Sequence, residues 1–155
     1  MTSTDAPSPA AQHTLSTTHD APASPAALWD AWARVHEWWG PSGFRSTVRE
    51  FDFTEGGRFE VVMHGPDGTD YPNLYVFDEL TRPTRVIWTS TGSQEFGLAP
   101  FRSVLHCEPR GPHTRITLTA YFPSAEEKRR HVEDFGAEQG SRDLLRRLGE
   151  EAARS

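Results

Sequence analysis

Between residues 44 and 122 apolar and polar side chains alternate, and beyond residue 124 the apolar positions return every fourth residue instead. A period of two belongs to a half-buried strand and a period near four to a helix. The alternation is clearest in Thr114–Phe122, with Ile116, Leu118, Ala120 and Phe122 on one face and Arg115, Thr117, Thr119 and Tyr121 on the other. Phe59, Val61 and Met63 mark an inward face in Arg58–His64, and Glu60 falls on the opposite one. Turn residues at intervals of roughly ten separate Phe44–Phe53, Arg58–His64, Tyr71–Leu80, Arg85–Ser90, Arg102–Cys107 and Thr114–Phe122, which predicts an antiparallel meander. Gln12–Thr18, with threonines around Leu15, adds a strand ahead of it. Thr91–Pro100 breaks the alternation and is expected as a loop at the mouth of a cavity.

The helical signals lie at the two ends. Ser24-Pro25 is a helix start, since serine caps an orphan N–H and proline suits the first helical position. A short helix is expected to about Ala33, with a second turn over His36–Trp39 before Gly40-Pro41. At the C-terminus Val132, Gly136, Gly140, Leu144 and Leu148 form one ridge, and Ser124 with Glu127 has capping-box spacing, so a long helix is expected from Ser124 to about Ala152. Either the sheet approaches closely at Gly136 and Gly140, or a gap opposite them is left for something else to fill. Trp29, Trp32, Trp38 and Trp39 crowd into eleven residues, which suits either the sealed end of a core or a cavity lining.

Composition narrows the function. A chain of 155 residues is expected to form one domain, about residues 12–153, behind a loose tail at 1–11 that is too poor in large apolar side chains to order itself. With 16 Lys+Arg against 22 Asp+Glu the formal charge is −6, and no basic run exceeds Lys128-Arg129-Arg130, so no nucleic-acid partner is expected. No apolar run approaches the roughly 18 residues of a membrane span, and Met1–Ala11 lacks the regions of a secretory signal, so the cytoplasm is the expected location. The lone Cys107 cannot form an intrachain disulfide and reads as a small buried strand residue. No nucleophile elbow, phosphate loop, dinucleotide fingerprint or H-E-x-x-H is present. The histidines at 13, 19, 36, 64, 106, 113 and 131 are scattered without ligand spacing, so no metal or cofactor is expected.

A more specific pattern runs through Ala21-Pro22, Leu28-Trp29-Asp30-Ala31-Trp32, Trp38-Trp39-Gly40-Pro41, Gly56-Gly57-Arg58-Phe59 and Pro66-Asp67-Gly68. Together with the element order, it resembles the SRPBCC (START-like) superfamily and, within it, the bacterial group related to the activator of heat-shock-protein-90 ATPase. The resemblance implies an α+β helix-grip fold, in which a curved antiparallel sheet of six or seven strands wraps a long C-terminal helix over an internal cavity. Two short helices follow the first strand. It also implies binding of a small hydrophobic or amphipathic, lipid-like molecule. Where members usually have glycine before the aromatic of the fourth strand, this chain has Asn73-Leu74-Tyr75, which puts more side chain near the cavity.

The candidate ligand-binding residues are Trp39, Phe59, Val61, Met63, Tyr75, Trp88, Leu105, Ile116, Leu118, Phe135 and Gln139. Aromatic and aliphatic groups would supply apolar contact, while Tyr75 and Gln139 would orient a polar group of the ligand. One alternative is a cavity enzyme of polyketide-cyclase type using at least two of His106, His131, Tyr75 and Glu60. A further alternative is a co-chaperone-like regulator, by analogy alone. No catalytic residue is singled out, and a monomer or homodimer is expected.

Overall fold

The computed structural model describes residues 13–40, 43–93 and 95–154. The expected tail at 1–11, and Gln12 and Pro41, lie outside the described residues. The elements run β1 (Thr14–Ala21), α1 (Pro25–Trp32), a single tight turn (Val35–Glu37), β2 (Arg45–Phe51), β3 (Arg58–His64), β4 (Asp70–Thr81), β5 (Arg85–Ser90), β6 (Phe101–Arg110), β7 (His113–Tyr121), α2 (Ala125–Phe135) and α3 (Ala137–Ala153).

All seven strands join one antiparallel sheet in the order β1-β7-β6-β5-β4-β3-β2. The segment containing α1 carries the chain from one edge to the other, and β2 to β7 then run as the expected meander. Register shifts at Val48/Glu50 and at Phe77/Glu79 mark bulges, which bend a sheet and help it curve around the helices. This is the helix-grip architecture. The first strand ends later than the alternation suggested, because pairing with β7 continues to Ala21 opposite Thr114. Tertiary pairing there outweighs the weak strand preference of His19-Asp20.

Both helix starts follow from their caps. The Ser24 hydroxyl accepts the N–H of Ala27 at 3.1 Å, with Pro25 inside the first turn. Ser124 likewise accepts the N–H of Glu127 at 3.1 Å. Glu127 does not complete a reciprocal box. Its carboxylate accepts the N–H of Ala99 at 2.7 Å and pairs with Arg130 at 3.0 Å.

The helix expected from Ser124 to Ala152 is divided. Gly136 closes α2 with φ 63° and ψ 37°, the left-handed conformation that a side chain with Cβ resists. Its N–H bonds to the carbonyl of His131, and α3 restarts at Ala137. The fourfold ridge is therefore not one continuous seam: Val132 lies before the break, Gly136 is exposed, and Leu145, Leu148 and Ala152 bury α3.

Of the two alternatives for Gly136 and Gly140, open space is what lies opposite them, and the close approach falls further along α3. A Cβ at Gly149 would sit 3.3 Å from Ala21 Cβ and 3.4 Å from His19 Nε2, whereas a Cβ at Gly136 or Gly140 would meet nothing within 4 Å. Helix α3 thus packs on β1 and α1 through its C-terminal half. The core beneath it joins Leu28, Ala31 and Trp32 of α1 to Phe59, Val61, Phe77, Val86, Leu105 and Ile116 of the sheet.

Candidate functional site

The other half of the inner face is not filled. A cavity of about 450 Å³ lies between the sheet, α2, α3, the segment after α1 and the loop 91–100, within the usual range for small-molecule sites. The strand register places its wall at one end of every strand from β3 to β7. Met63 is opposite Tyr71, Tyr75 opposite Ser90, Ser90 opposite Phe101, and Ser103 opposite Ala120, and all of these residues line the space. Leu15 of edge strand β1, opposite Ala120, completes that wall.

Aromatic rings make up much of the lining. Trp39 meets Tyr75 edge-on at 5.2 Å and Phe59 at 5.6 Å between ring centres. Phe96, from the loop, stacks on Tyr71 at 5.4 Å and meets Phe135 at the end of α2 at 6.0 Å. The expected loop does stand beside the cavity, through Thr91, Gly92, Ser93, Phe96 and Leu98. It is tied to α2: Arg130 Nη2 donates to the Phe96 carbonyl at 2.9 Å, Arg130 Nη1 donates to the Gly97 carbonyl, and Glu127 holds Ala99 N–H.

Four polar features matter for chemistry. Burial pushes the Tyr75 phenol well above its ordinary value, so it remains protonated at neutral pH; the nearby Trp39 indole pulls the other way. The Trp39 indole N–H itself is buried without an acceptor in hydrogen-bond geometry. His131 is fixed by Nδ1–H donating to the Glu127 carbonyl at 2.8 Å and lies against Phe101 and Phe122. Arg147, one of the cavity residues on α3, donates to the Gly40 carbonyl.

Of the residues singled out from the sequence, Trp39, Met63, Tyr75, Trp88, Leu118 and Phe135 line the cavity. Phe59, Val61, Leu105 and Ile116 share the inner face but belong to the closed core, at 2 % exposure or less. Helix α1 and the C-terminal half of α3 cover that end of the sheet. Gln139 is exposed on α3, and its amide donates to the Asp143 carboxylate at 3.2 Å instead of facing the cavity. Among the groups named for acid–base work, His131 and Tyr75 reach the cavity, whereas His106 is exposed and Glu60 is on the outer face.

The residues missed include Leu15, Phe44, Tyr71, Phe96, Phe101, Ser90, Ser103, Phe122, Leu144 and Arg147, whereas Gly140 lines the gap that the sequence allowed for. The alternation already put Phe122 on the face of Leu118, and the spacing Gly140, Leu144, Arg147 is one helix stripe. What it left out was position along the strands. Outside the cavity, Thr47 Oγ1, His64 and Asp70 form a hydrogen-bonded chain of 2.7 and 2.8 Å, on exposed side chains of the outer face. Among the described residues no group of three or more His, Cys, Asp or Glu is placed to hold a metal ion. No helix of the described residues is long and apolar enough to cross a membrane.

Residues 22–153 match the family model described as activator of Hsp90 ATPase homolog 1-like protein. The chain belongs to this family. An Arthrobacter aurescens protein solved by NMR is 23% identical, with a TM-score of 0.80 over 99% of this chain and 94% of that one. The Silicibacter pomeroyi AHSA1 protein is 26% identical, with a TM-score of 0.70 over 90% and 97% respectively. Ara h 8.0201 shares the fold at 18% identity, with a TM-score of 0.71 over 92% of this chain and 99% of its own. No curated protein sequence matches the chain. For this AHSA1-like chain, the family and the helix-grip fold are thus established, and they leave the occupant of the cavity open.

Proposed function

We propose that the cavity binds one small hydrophobic or amphipathic molecule. The observation that carries this reading is unfilled volume of about 450 Å³ beside a closely packed core. Interiors normally close to crystal-like density, so space of this size bounded by Trp39, Tyr71, Tyr75, Phe96, Phe101 and Phe135 is a pre-formed apolar site. The loop 91–100, tied to α2 by Arg130 and Glu127, is a side of the site that a ligand would pass.

The test is titration with N-phenyl-1-naphthylamine, a neutral dye whose emission rises in apolar surroundings, alongside native mass spectrometry of protein purified without stripping. Saturable dye binding that is lost when Gly140→Leu places a side chain in the cavity supports the reading. Absence of binding, or binding indifferent to that substitution, refutes it. A second reading, a cavity enzyme, draws on His131 and Tyr75 lining the same space. Conversion of a retained ligand to a new mass by the wild type, and not by Tyr75→Phe, supports it; recovery of that ligand unchanged retires it.

A further inference from the structure

The polar groups of the cavity wall are unevenly placed. On α3 the stripe Gly140, Leu144, Arg147 faces the space, and at about 1.5 Å per residue Arg147 stands ~15 Å beyond Ala137, where the helix restarts. The α2 end, around Phe135, Phe96 and Phe101, is mainly aromatic apart from His131 and Asp134. At the Arg147 end the guanidinium donates to the carbonyl of Gly40, the residue after Trp39, and Trp39 and Arg147 both line the cavity.

Most arginines of this chain are satisfied by carboxylates: Arg34 with Glu151, Arg85 with Glu79, Arg110 with Glu108, Arg129 with Glu126, Arg130 with Glu127 and Arg146 with Glu150. Arg147 is different. It is half-buried and lines the cavity, and no carboxylate of the described residues pairs with it. A guanidinium has five N–H donors, and the carbonyl of Gly40 engages only one side of that fork. On the same cavity lining the Trp39 indole N–H is buried with no acceptor in hydrogen-bond geometry, and the Tyr75 phenol is the polar group close to it. A partly desolvated guanidinium with no carboxylate partner on the cavity wall lacks an anionic acceptor, and the Trp39 N–H, held only loosely by the Tyr75 phenol, is a second donor for one.

We infer that the cavity selects a carboxylate-bearing amphipathic ligand, with the carboxylate at Arg147 and Trp39 and the apolar body along the aromatic wall toward Phe96 and Phe135. This rests on the cavity-binding reading and adds a ligand class to it. An acidic chain with formal charge −6 would otherwise disfavour an anion, so a preference for acids over neutral isosteres requires a local cause. The alternative role for Arg147 is a latch that only pins the Trp39-Gly40 segment to α3.

The two roles separate in competition against N-phenyl-1-naphthylamine by 2-naphthylacetate and its neutral isostere 2-naphthylacetamide, at neutral pH. The wild type is expected to bind the acid about 10-fold or more tighter than the amide, the difference a charge-assisted pair supplies. Arg147→Met is expected to weaken the acid by about 10- to 100-fold while leaving the amide and the dye nearly unchanged. Trp39→Phe keeps the ring wall, removes the N–H, and is expected to narrow the acid preference several-fold. That variant and the wild-type comparison carry the test if Arg147→Met does not fold. Equal affinity for acid and amide in the wild type overturns the inference and leaves cavity binding standing. A parallel loss of acid, amide and dye in Arg147→Met assigns the residue to the latch and also overturns it. Failure of the dye to bind at all removes both.

Discussion

Two glycines of α3, nine positions apart, provide a test in which the same substitution has different consequences. Gly→Ala inside a helix contributes roughly 0.8–1.0 kcal/mol through backbone entropy and is common to both sites. At Gly140 the new methyl meets nothing within 4 Å and projects toward the cavity, so the helix gain is realised nearly in full, at about 1 kcal/mol. At Gly149 it would lie 3.3 Å from Ala21 Cβ and 3.4 Å from His19 Nε2, where helix and edge strand press together. Overpacking of that kind costs about 1–3 kcal/mol, which cancels or reverses the gain. The difference between the two alanine variants is therefore expected to be about 1–3 kcal/mol in favour of Gly140→Ala, independent of the exact helix propensity. Urea unfolding followed by circular dichroism measures it directly, and thermal melts should separate by about 2–4 °C for each kcal/mol in a chain of this size. Equal shifts at the two sites, or a more stable Gly149→Ala, would refute the packing of α3 described above.

Other consequences follow from single sites. Gly136→Ala places a Cβ in a left-handed conformation and should cost about 1–2 kcal/mol by the same unfolding assay, even though the site is exposed and sterically open. Burial pushes the Cys107 thiol from 9.0 up to about 11, so above pH 9 the unfolded chain ionises there while the folded chain keeps its proton. Stability should accordingly fall between pH 9 and 11, by about 2–3 kcal/mol from this group, and Cys107→Ala should flatten the slope in urea titrations across that window. Tyr75 acts in the same direction beginning at pH 10, which is why the comparison uses the Cys107 variant and not the wild-type curve alone. Arg130→Met frees the Phe96 and Gly97 carbonyls, and hydrogen exchange should accelerate across residues 91–100 while the sheet amides hold their protection. Unchanged exchange there would show that Glu127 and the ring contacts of Phe96 suffice to hold the loop.

The sequence by itself determined where the strands lie, the faces of those that alternate cleanly and the helix starts, because these depend on local periodicity and caps; Tyr71–Leu80, apolar on both faces, kept its register undecided. Arg58–His64 and Arg85–Ser90 form strands with the bounds that alternation gives them, and Ser24 and Ser124 cap where their neighbours indicate. Alternation also put Phe59, Val61 and Met63 on one side of their strand and Ile116 and Leu118 on one side of theirs, which the sheet brings together as its inner face. It carries no information about which end of a strand a helix will cover. Tertiary packing decided that Met63 and Leu118 border open space while Phe59, Val61 and Ile116 are sealed beneath α1 and α3. It also made Gly136 a helix break, Gly140 a cavity wall and Gly149 a contact point, although sequence spacing presented the first two as equivalent. The contact of Arg147 with Gly40 joins residues more than a hundred positions apart, and only the closure of the sheet around α3 brings Arg147 and Trp39 into one cavity lining.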